Sequence, residues 1–352
     1  LGNLGVRNSL ASNIGARGDN TKSLATAMFL FPLLLLVSLM VMYITLYLSD
    51  FVFSGLGMVV LVGMGVTFSL GVILRQGGCL GSAEIKYFNI LEVSPRMIML
   101  AVIIISIPII SITEDLAIFG LVLGYFFSFT YIIRKHSFTL PEDVFIRAFD
   151  LIKTGLPYCL SLSLIILNGL IPIYATNYFF EISDTGQVFA ALRVNQIFLE
   201  LATAAGLMIF SHATREKSSG NSFEIFKVIG GVICLTLLAS LLVQFFSTEL
   251  IMLISGDEYS QSAKALAVLS VCLPFAAFNK MAYGLISGKG KPMIGSTVFC
   301  IAVIVNLSLI FILQSMEIQA FILLAFVISQ VVISTLFGII LYKMYLENKD
   351  TI

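Results

Sequence analysis

The chain has 352 residues, of which 59% are hydrophobic and only 11% are charged, and its mean hydropathy is +1.03. A soluble domain carries about 25% charged residues, so this composition excludes a soluble protein and indicates an integral membrane protein. The formal net charge is zero, and nucleic acid is not an expected partner.

Apolar runs of membrane-spanning length follow one another along almost the whole chain. A spanning helix needs about 20 residues, and ten runs meet or approach that length. The third run is short unless it extends back toward Tyr87, and only the segment SITED separates it from the fourth, so a single re-entrant hairpin is the alternative for that pair. The ten predicted spans are 24–47, 52–74, 97–113, 115–133, 155–176, 187–211, 226–246, 263–287, 293–313 and 318–342.

The connections between these runs alternate in charge. Most of the basic residues lie at the two ends of the chain and in every second connection, whereas the intervening connections are acidic. By the positive-inside rule the basic set is cytoplasmic, which places both visible ends, including the C-terminus, inside the cell. The alternation is consistent with an even number of spans.

One long connection divides the predicted spans into two groups. It runs from Arg134 to Lys153 and contains an amphipathic stretch with Val144, Phe145 and Phe149. This stretch is either a linker helix on the membrane surface or a solvated loop with one helical turn. We therefore predict an N-terminal helical bundle at 1–140 and a C-terminal bundle at 141–352.

The sixth predicted span carries polar residues inside an otherwise apolar helix. Arg193, Gln196, Glu200 and Thr203 recur at steps of three and four, which places them on one stripe of a helix. A charge facing lipid would cost roughly 3 kcal/mol or more, so the stripe is expected to line a cavity within a bundle. This pattern is typical of a transporter.

Catalytic and metal chemistry find little support in the sequence. No connection is long enough to house an extramembrane catalytic domain, which argues against a membrane polymerase or ligase, and we predict a transporter rather than an enzyme. The two histidines, His136 and His212, both lie in basic connections. The five scattered cysteines form no CxxC pair and are interpreted as packing residues, so no metal or cofactor is expected.

Several stretches, taken in order, resemble a known family. They are GNLGVRNSLASNIGARGDN near the start, TGLPYCLS from Thr154, FEISDTGQVFAALRVNQ from Phe180, SGDEYSQSAKALAVL from Ser255 and GLISGKGKPMIGSTVFCIAVIVNLSLIFIL from Gly284. Together they resemble the polysaccharide-export branch of the MOP exporter superfamily, the lipid-linked oligosaccharide flippases of O-antigen and related pathways. The resemblance implies an all-α, MATE-like membrane bundle of two six-helix halves. About ten complete transmembrane helices are then visible, and we expect the first helix and most of the second to be missing through N-terminal truncation.

The resemblance also implies a function. It predicts that undecaprenyl-pyrophosphate-linked oligosaccharide is moved across the bacterial inner membrane by alternating access. The partners implied are this substrate, membrane lipids, a coupling proton or sodium ion, a polysaccharide polymerase and a chain-length regulator. The alternative is a MATE-type multidrug or cation antiporter, which would favour acidic residues in its cavity. A purely structural scaffold is disfavoured, because charged residues inside a span cost free energy that a scaffold has no need to spend.

Substrate-binding residues follow from the anionic pyrophosphate. A guanidinium binds phosphate bidentately, so Arg193 is the first candidate, with Gln196 and Glu200 beside it on the stripe. Lys280, next to Asn279, is the second cation. Both cations also have a structural alternative, since each lies near enough to a helix end to snorkel toward the interface, and Arg193 has a second one in pairing with an acid on another helix.

Three asparagine or glutamine residues and one acid in the spans have further expected roles. Glu200 is expected either to bind a coupling proton or to offset the charge of Arg193. Asn168, Asn306 and Gln330 are expected to form hydrogen bonds between helices.

Overall fold

The computed structural model describes residues 3–48, 56–107, 113–135, 140–215, 222–315 and 320–349, and this part of the chain is almost entirely helical. One short 3-10 helix, Asp257–Tyr259, precedes α10. The α-helices in chain order are α1 (Val6–Arg17), α2 (Asn20–Phe29), α3 (Phe31–Leu48), α4 (Leu56–Ser82), α5 (Ile85–Ser106), α6 (Glu114–Lys135), α7 (Val144–Phe179), α8 (Ile182–Arg215), α9 (Ser222–Ser255), α10 (Ser262–Ser270), α11 (Leu273–Gly288), α12 (Pro292–Ser315) and α13 (Phe321–Lys349).

The number of spans agrees with the sequence. Within the described ranges, eight helices are long and apolar enough to cross a membrane, and the number rises to ten when each of two bent helix pairs is taken as one span. The bent pairs are α2 with α3, at 50°, and α10 with α11, at 54°. The predicted all-α membrane architecture is confirmed.

A proline follows each of the two bends. Pro32 is the second residue of α3, and Pro274 is the second residue of α11. Proline has no N–H to donate to the carbonyl four residues earlier, so a regular helix cannot continue through it without losing a hydrogen bond. Proline is tolerated in the first turn of a new helix, which is where both residues lie.

Polar residues are helical at two places where the predicted spans were uncertain or wrong. The third span takes the longer of its two predicted forms and begins at Ile85, because the polar residues before Met97 continue α5. The amphipathic stretch at 144–152 forms the first turns of α7 and is continuous with the following span, so it is neither a separate surface helix nor a loop. Part of the SITED segment lies outside the described residues.

The chain divides into two compact units, Leu1–Leu160 and Ser161–Ile352, and the division falls inside α7. The N-terminal unit has a core of buried aliphatic side chains from α1, α2, α3, α4 and the start of α7. The core of the C-terminal unit is built from α8, α9, α11, α12 and α13, with a second cluster where α10 joins α8 and α9. The boundary at 140/141 between the N-terminal and C-terminal bundles stays a prediction.

Candidate functional site

Helix α8 positions the polar stripe. It is continuous from Ile182 to Arg215, so its periodicity places Arg193, Gln196 and Glu200 on one side, where all three are exposed. The other side of α8 is buried in the C-terminal unit through small and aliphatic residues such as Ala191. The exposed side of α8 thus carries the three polar residues next to exposed apolar ones, such as Ile197 and Leu201.

Arg193 is held by an aromatic ring rather than by an acid. Its guanidinium carbon lies 4.9 Å from the centroid of the Phe189 ring, one turn earlier on α8. An arginine in this position is stabilised by the negative face of the ring and keeps its N–H groups available. Among the residues that the structure describes, no carboxylate forms an ion pair with Arg193.

Lys280 reaches the same stripe from α11. Its Nζ donates a hydrogen bond to Thr203 Oγ1 at 2.8 Å, and Glu200 is close enough to interact with it electrostatically. The side chain is half-buried and points toward α8 rather than along α11 to its end. We define the α8 polar face as Arg193, Gln196, Glu200, Thr203 and Lys280.

Asn279, the remaining predicted site residue, lies away from this face. Its Nδ2 donates to the backbone oxygen and to the Oε1 of Gln330, both at 3.0 Å, and its Oδ1 accepts from Ser334 Oγ at 2.8 Å. The side chain is buried between α11 and α13 and joins them. The structure thus places Lys280 beside Thr203 and Glu200, at the other end of the stripe from Arg193, and a substrate role for all five predicted residues stays a prediction.

The expected hydrogen bonds between helices are confirmed. Asn306 Nδ2 on α12 donates to Asn168 Oδ1 on α7 at 3.0 Å, and both side chains are buried. Nearer the start of α12, Ser161 Oγ and Ser296 Oγ form a second bond between the same helices, at 2.7 Å. Gln330 takes part in the α11–α13 contact described above. These amides stabilise the C-terminal unit.

A second charged cluster lies in the N-terminal unit and was not predicted from the sequence. Arg75 pairs with Glu84 at 2.8 Å, and Glu92 accepts hydrogen bonds from Gln76 at 2.8 Å and from Arg96 at 2.9 Å. Arg75 is only 3% exposed, although the sequence placed it in a cytoplasmic connection. The four-residue spacing of Glu92 and Arg96 is the signal that could have indicated a helix.

Metal-binding geometry is not found in the described part of the chain. No group of three or more His, Cys, Asp or Glu side chains there is arranged to hold a metal ion. The five cysteines are free thiols, and two of them, Cys79 and Cys272, are buried.

Comparisons with known proteins find similarity of structure rather than of sequence. No protein-family model matches the chain, and no curated protein sequence matches it. The solved structures that resemble it include a MATE transporter in the straight conformation, at a TM-score of 0.74 and 14% identity, covering 98% of this chain and 84% of that one.

Two further structures show the same likeness. An outward-facing multidrug resistance MATE family transporter of the MOP superfamily has a TM-score of 0.73 and 17% identity, covering 100% of this chain and 85% of that one. A eukaryotic MATE transporter, AtDTX14, has a TM-score of 0.71 and 15% identity, covering 97% and 83% respectively. Similarity of this extent at such low identity establishes the fold, so the chain has the fold of the MATE transporters of the MOP superfamily.

Proposed function

We propose that the chain is an exporter that moves an undecaprenyl-pyrophosphate-linked oligosaccharide across the bacterial inner membrane by alternating access. The observation that carries this proposal is Arg193, an exposed guanidinium inside a span that no described carboxylate pairs with. A charge in that position costs more against lipid than against water or a polar substrate, which supports a polar lining for this face.

The chemistry of the face suits a pyrophosphate. A guanidinium offers two parallel N–H donors to phosphate oxygens, and Lys280 adds a second cation from α11. The glycan of such a substrate cannot enter hydrocarbon, whereas its polyprenyl chain can remain there. Two cations against one acid, Glu200, leave this face with a net positive charge.

The function implies a cellular setting. The C-terminus would be cytoplasmic, a proton or sodium ion would drive transport, and the exported repeat would pass to a polysaccharide polymerase and a chain-length regulator. The position of the C-terminus follows from the charges of the connections and the other features follow from the sequence resemblance, and all of them are part of the proposal.

A cation or multidrug antiporter is the second candidate. The structures that resemble the chain include a multidrug resistance MATE transporter, and Glu200 is an exposed acid on the same face as Arg193. In this case Glu200 would bind the cationic substrate and Arg193 would oppose it. The two functions therefore predict opposite consequences of removing each charge.

The test is surface-glycan display in a bacterial host that lacks its own flippase. The host receives the chain as wild type, Arg193→Ala or Arg193→Lys. Wild type should restore surface glycan, Arg193→Ala should abolish it, and Arg193→Lys should retain part of it, since the lysine keeps the charge but loses the bidentate geometry. Lys264→Ala, which removes an exposed cation from the first turn of α10, is the matched control and should export normally.

Equal export by Arg193→Ala and wild type would contradict the role of Arg193. Protein that is inserted in the membrane while lipid-linked single repeats accumulate inside would count against the flippase. Efflux of an aromatic cation by the wild type, lost in Glu200→Gln and retained in Arg193→Ala, would then establish the antiporter.

A further inference from the structure

The span formed by α10 and α11 is broken at residues 271–272, and the break exposes backbone carbonyls. Pro274 has no N–H, so the carbonyl of Ser270 lacks the donor that a regular helix would supply four residues later. The two helices meet at 54°. An unsatisfied carbonyl inside a membrane is strongly unfavourable, so this carbonyl needs a partner from outside its own span.

The preceding helix, α9, supplies the partners. Ser240 Oγ donates to the Ser270 backbone oxygen at 2.8 Å. Gln244, one turn further along, donates through Nε2 to the Ala267 backbone oxygen at 2.7 Å and to Ser270 Oγ at 2.8 Å, and the same Ala267 oxygen also accepts from Ser270 Oγ at 2.8 Å. Two side chains of α9 therefore bind the polar groups on the α10 side of the break.

The position of Gln244 within α9 supports this role. Gln244 is exposed on the surface of the unit, inside a span, whereas its neighbour Val243 is fully buried. An amide on such a surface is unfavourable unless it is hydrogen bonded, and the bonds to α10 satisfy it. Because Gln244 contributes no buried packing, a leucine can replace it without disturbing the core.

The bend between α10 and α11 determines the direction of the α11 axis. Lys280 lies two turns after the break and donates to Thr203 on the α8 polar face. We infer that Gln244, together with Ser240, is a positioning residue: by binding the Ala267 and Ser270 groups it fixes the α10–α11 bend and holds Lys280 on the α8 polar face. The transport consequence of this inference rests on the proposed function, whereas its structural consequence does not.

The structural consequence is tested on the purified full chain without substrate. Gln244→Leu should accelerate backbone hydrogen exchange at residues 262–276 and leave exchange in α4 and α5 unchanged. It should also raise the rate at which an amine-acylating reagent modifies Lys280, measured by mass spectrometry, by several-fold. Gln314→Leu is the matched control, because Gln314 is an exposed glutamine of α12 that forms no described bond to α10.

Thr203→Val provides the reference for a released Lys280, because it removes the acceptor and, besides it, only the bond that Thr203 Oγ1 donates to the Leu199 backbone oxygen within α8 at 2.9 Å. Acylation of Lys280 in Gln244→Leu that stays at the wild-type rate, while Thr203→Val raises it, would overturn the inference. Unchanged exchange at 262–276 would also overturn it, since the break would then not depend on Gln244.

The transport consequence is tested by a double-mutant cycle. Gln244→Leu should raise the KM for export several-fold with little change in the maximal rate, and this effect should disappear when Lys280→Met is already present. Additive effects of the two substitutions would contradict action through Lys280. If no substrate is exported by the wild type, the proposed function fails, and the exchange and acylation results still decide whether Gln244 positions Lys280.

Discussion

Gly284 on α11 packs directly against the backbone of Gly206 on α8. A methyl group added at Gly284 would lie 2.3 Å from the Gly206 carbonyl oxygen, well inside van der Waals contact, and one added at Gly206 would lie 2.9 Å from the carbonyl oxygen of Lys280. Close approach of two helix backbones through glycine is a common way to stabilise helix pairs in membranes. The two helices that carry the α8 polar face, α8 and α11, are therefore joined through a rigid contact.

Gly284→Ala is expected to destabilise the C-terminal unit. The new methyl group would meet backbone atoms, which cannot rotate away, so α8 and α11 must separate, at a cost of about 1–3 kcal/mol. Thermal unfolding in detergent should show a lower midpoint than that of wild type. Gly230→Ala is the control, because nothing lies within 4 Å of an added methyl group at that position in α9.

The control substitution should be neutral or slightly stabilising, since alanine is the better helix former by roughly 0.5–1 kcal/mol. A Gly284→Ala protein as stable as Gly230→Ala would show that the α8–α11 contact is looser than the structure indicates.

Glu200→Gln should change binding in a direction that depends on the charge of the substrate. The substitution keeps the shape of the side chain and removes the one acid of the α8 polar face, leaving Arg193 and Lys280 unopposed. An anionic pyrophosphate should then bind more tightly and an organic cation more weakly, by about three- to tenfold, which corresponds to about 1 kcal/mol of Coulomb energy. Equilibrium binding of both ligand types to the purified protein measures the effect.

Gln196→Ala tests whether that change is electrostatic. It alters the same face without altering its charge, and both ligands should keep their relative affinities. Identical shifts for anion and cation in Glu200→Gln would refute a charge-selective face.

The buried amides Asn168 and Asn306 should be energetically coupled. Either single substitution to leucine leaves the other amide without its partner in the interior of the unit, whereas the double substitution removes both polar groups. The coupling energy is expected to be about 1 kcal/mol, within the range measured for hydrogen bonds between membrane helices. Unfolding of the two single variants and the double variant measures it.

A pair formed by Asn168→Leu and Thr236→Val provides the comparison. The Thr236 hydroxyl bonds within its own helix, so these two substitutions should be additive. Additivity of the asparagine pair as well would mean that the bond contributes nothing to stability.

The start of α7 should be sensitive to acid. The hydrogen bond from Arg147 lowers the pKa of Asp143 from its ordinary value of 3.8. Because the pKa is lower in the folded protein, the stabilisation is fully present above 3.8 and is lost as the pH falls through the lowered value. Hydrogen exchange in the first turn of α7 should differ between wild type and Asp143→Asn at neutral pH.

That difference should vanish in strong acid, where the aspartate is protonated and resembles asparagine. A difference that persists unchanged to the lowest pH would show that the ion pair is not its cause.

Much of the fold could be predicted from hydropathy, because each span must carry enough apolar residues to cross the bilayer regardless of its neighbours. The stripe on α8 followed in the same way from helical periodicity. The end of α4 and the start of α5 did not, because the burial of Arg75 and the bond from Gln76 on α4 to Glu92 on α5 depend on which helices meet, and such partners stabilise polar residues that hydropathy assigns to loops.

The environment of Lys280 and Asn279 shows a similar limit. Adjacent residues of a helix point about 100° apart, so one reaches α8 and the other α13, and only the packing of α11 determines which. The sequence therefore indicated the residue types of the site but not which of two neighbouring polar side chains belongs to it.

The broken span also bears on how the chain is synthesised. Neither α10, with 9 residues, nor α11, with 16, is long enough to cross a bilayer alone, so the insertion machinery must accept them together as one apolar segment. Helix α9 leaves the ribosome first. Ser240 and Gln244 are thus already in the membrane when the proline-containing segment is inserted. The Ser270 carbonyl, which has no donor in its own helix, can therefore form its hydrogen bond with Ser240 on insertion and need not face lipid unpaired.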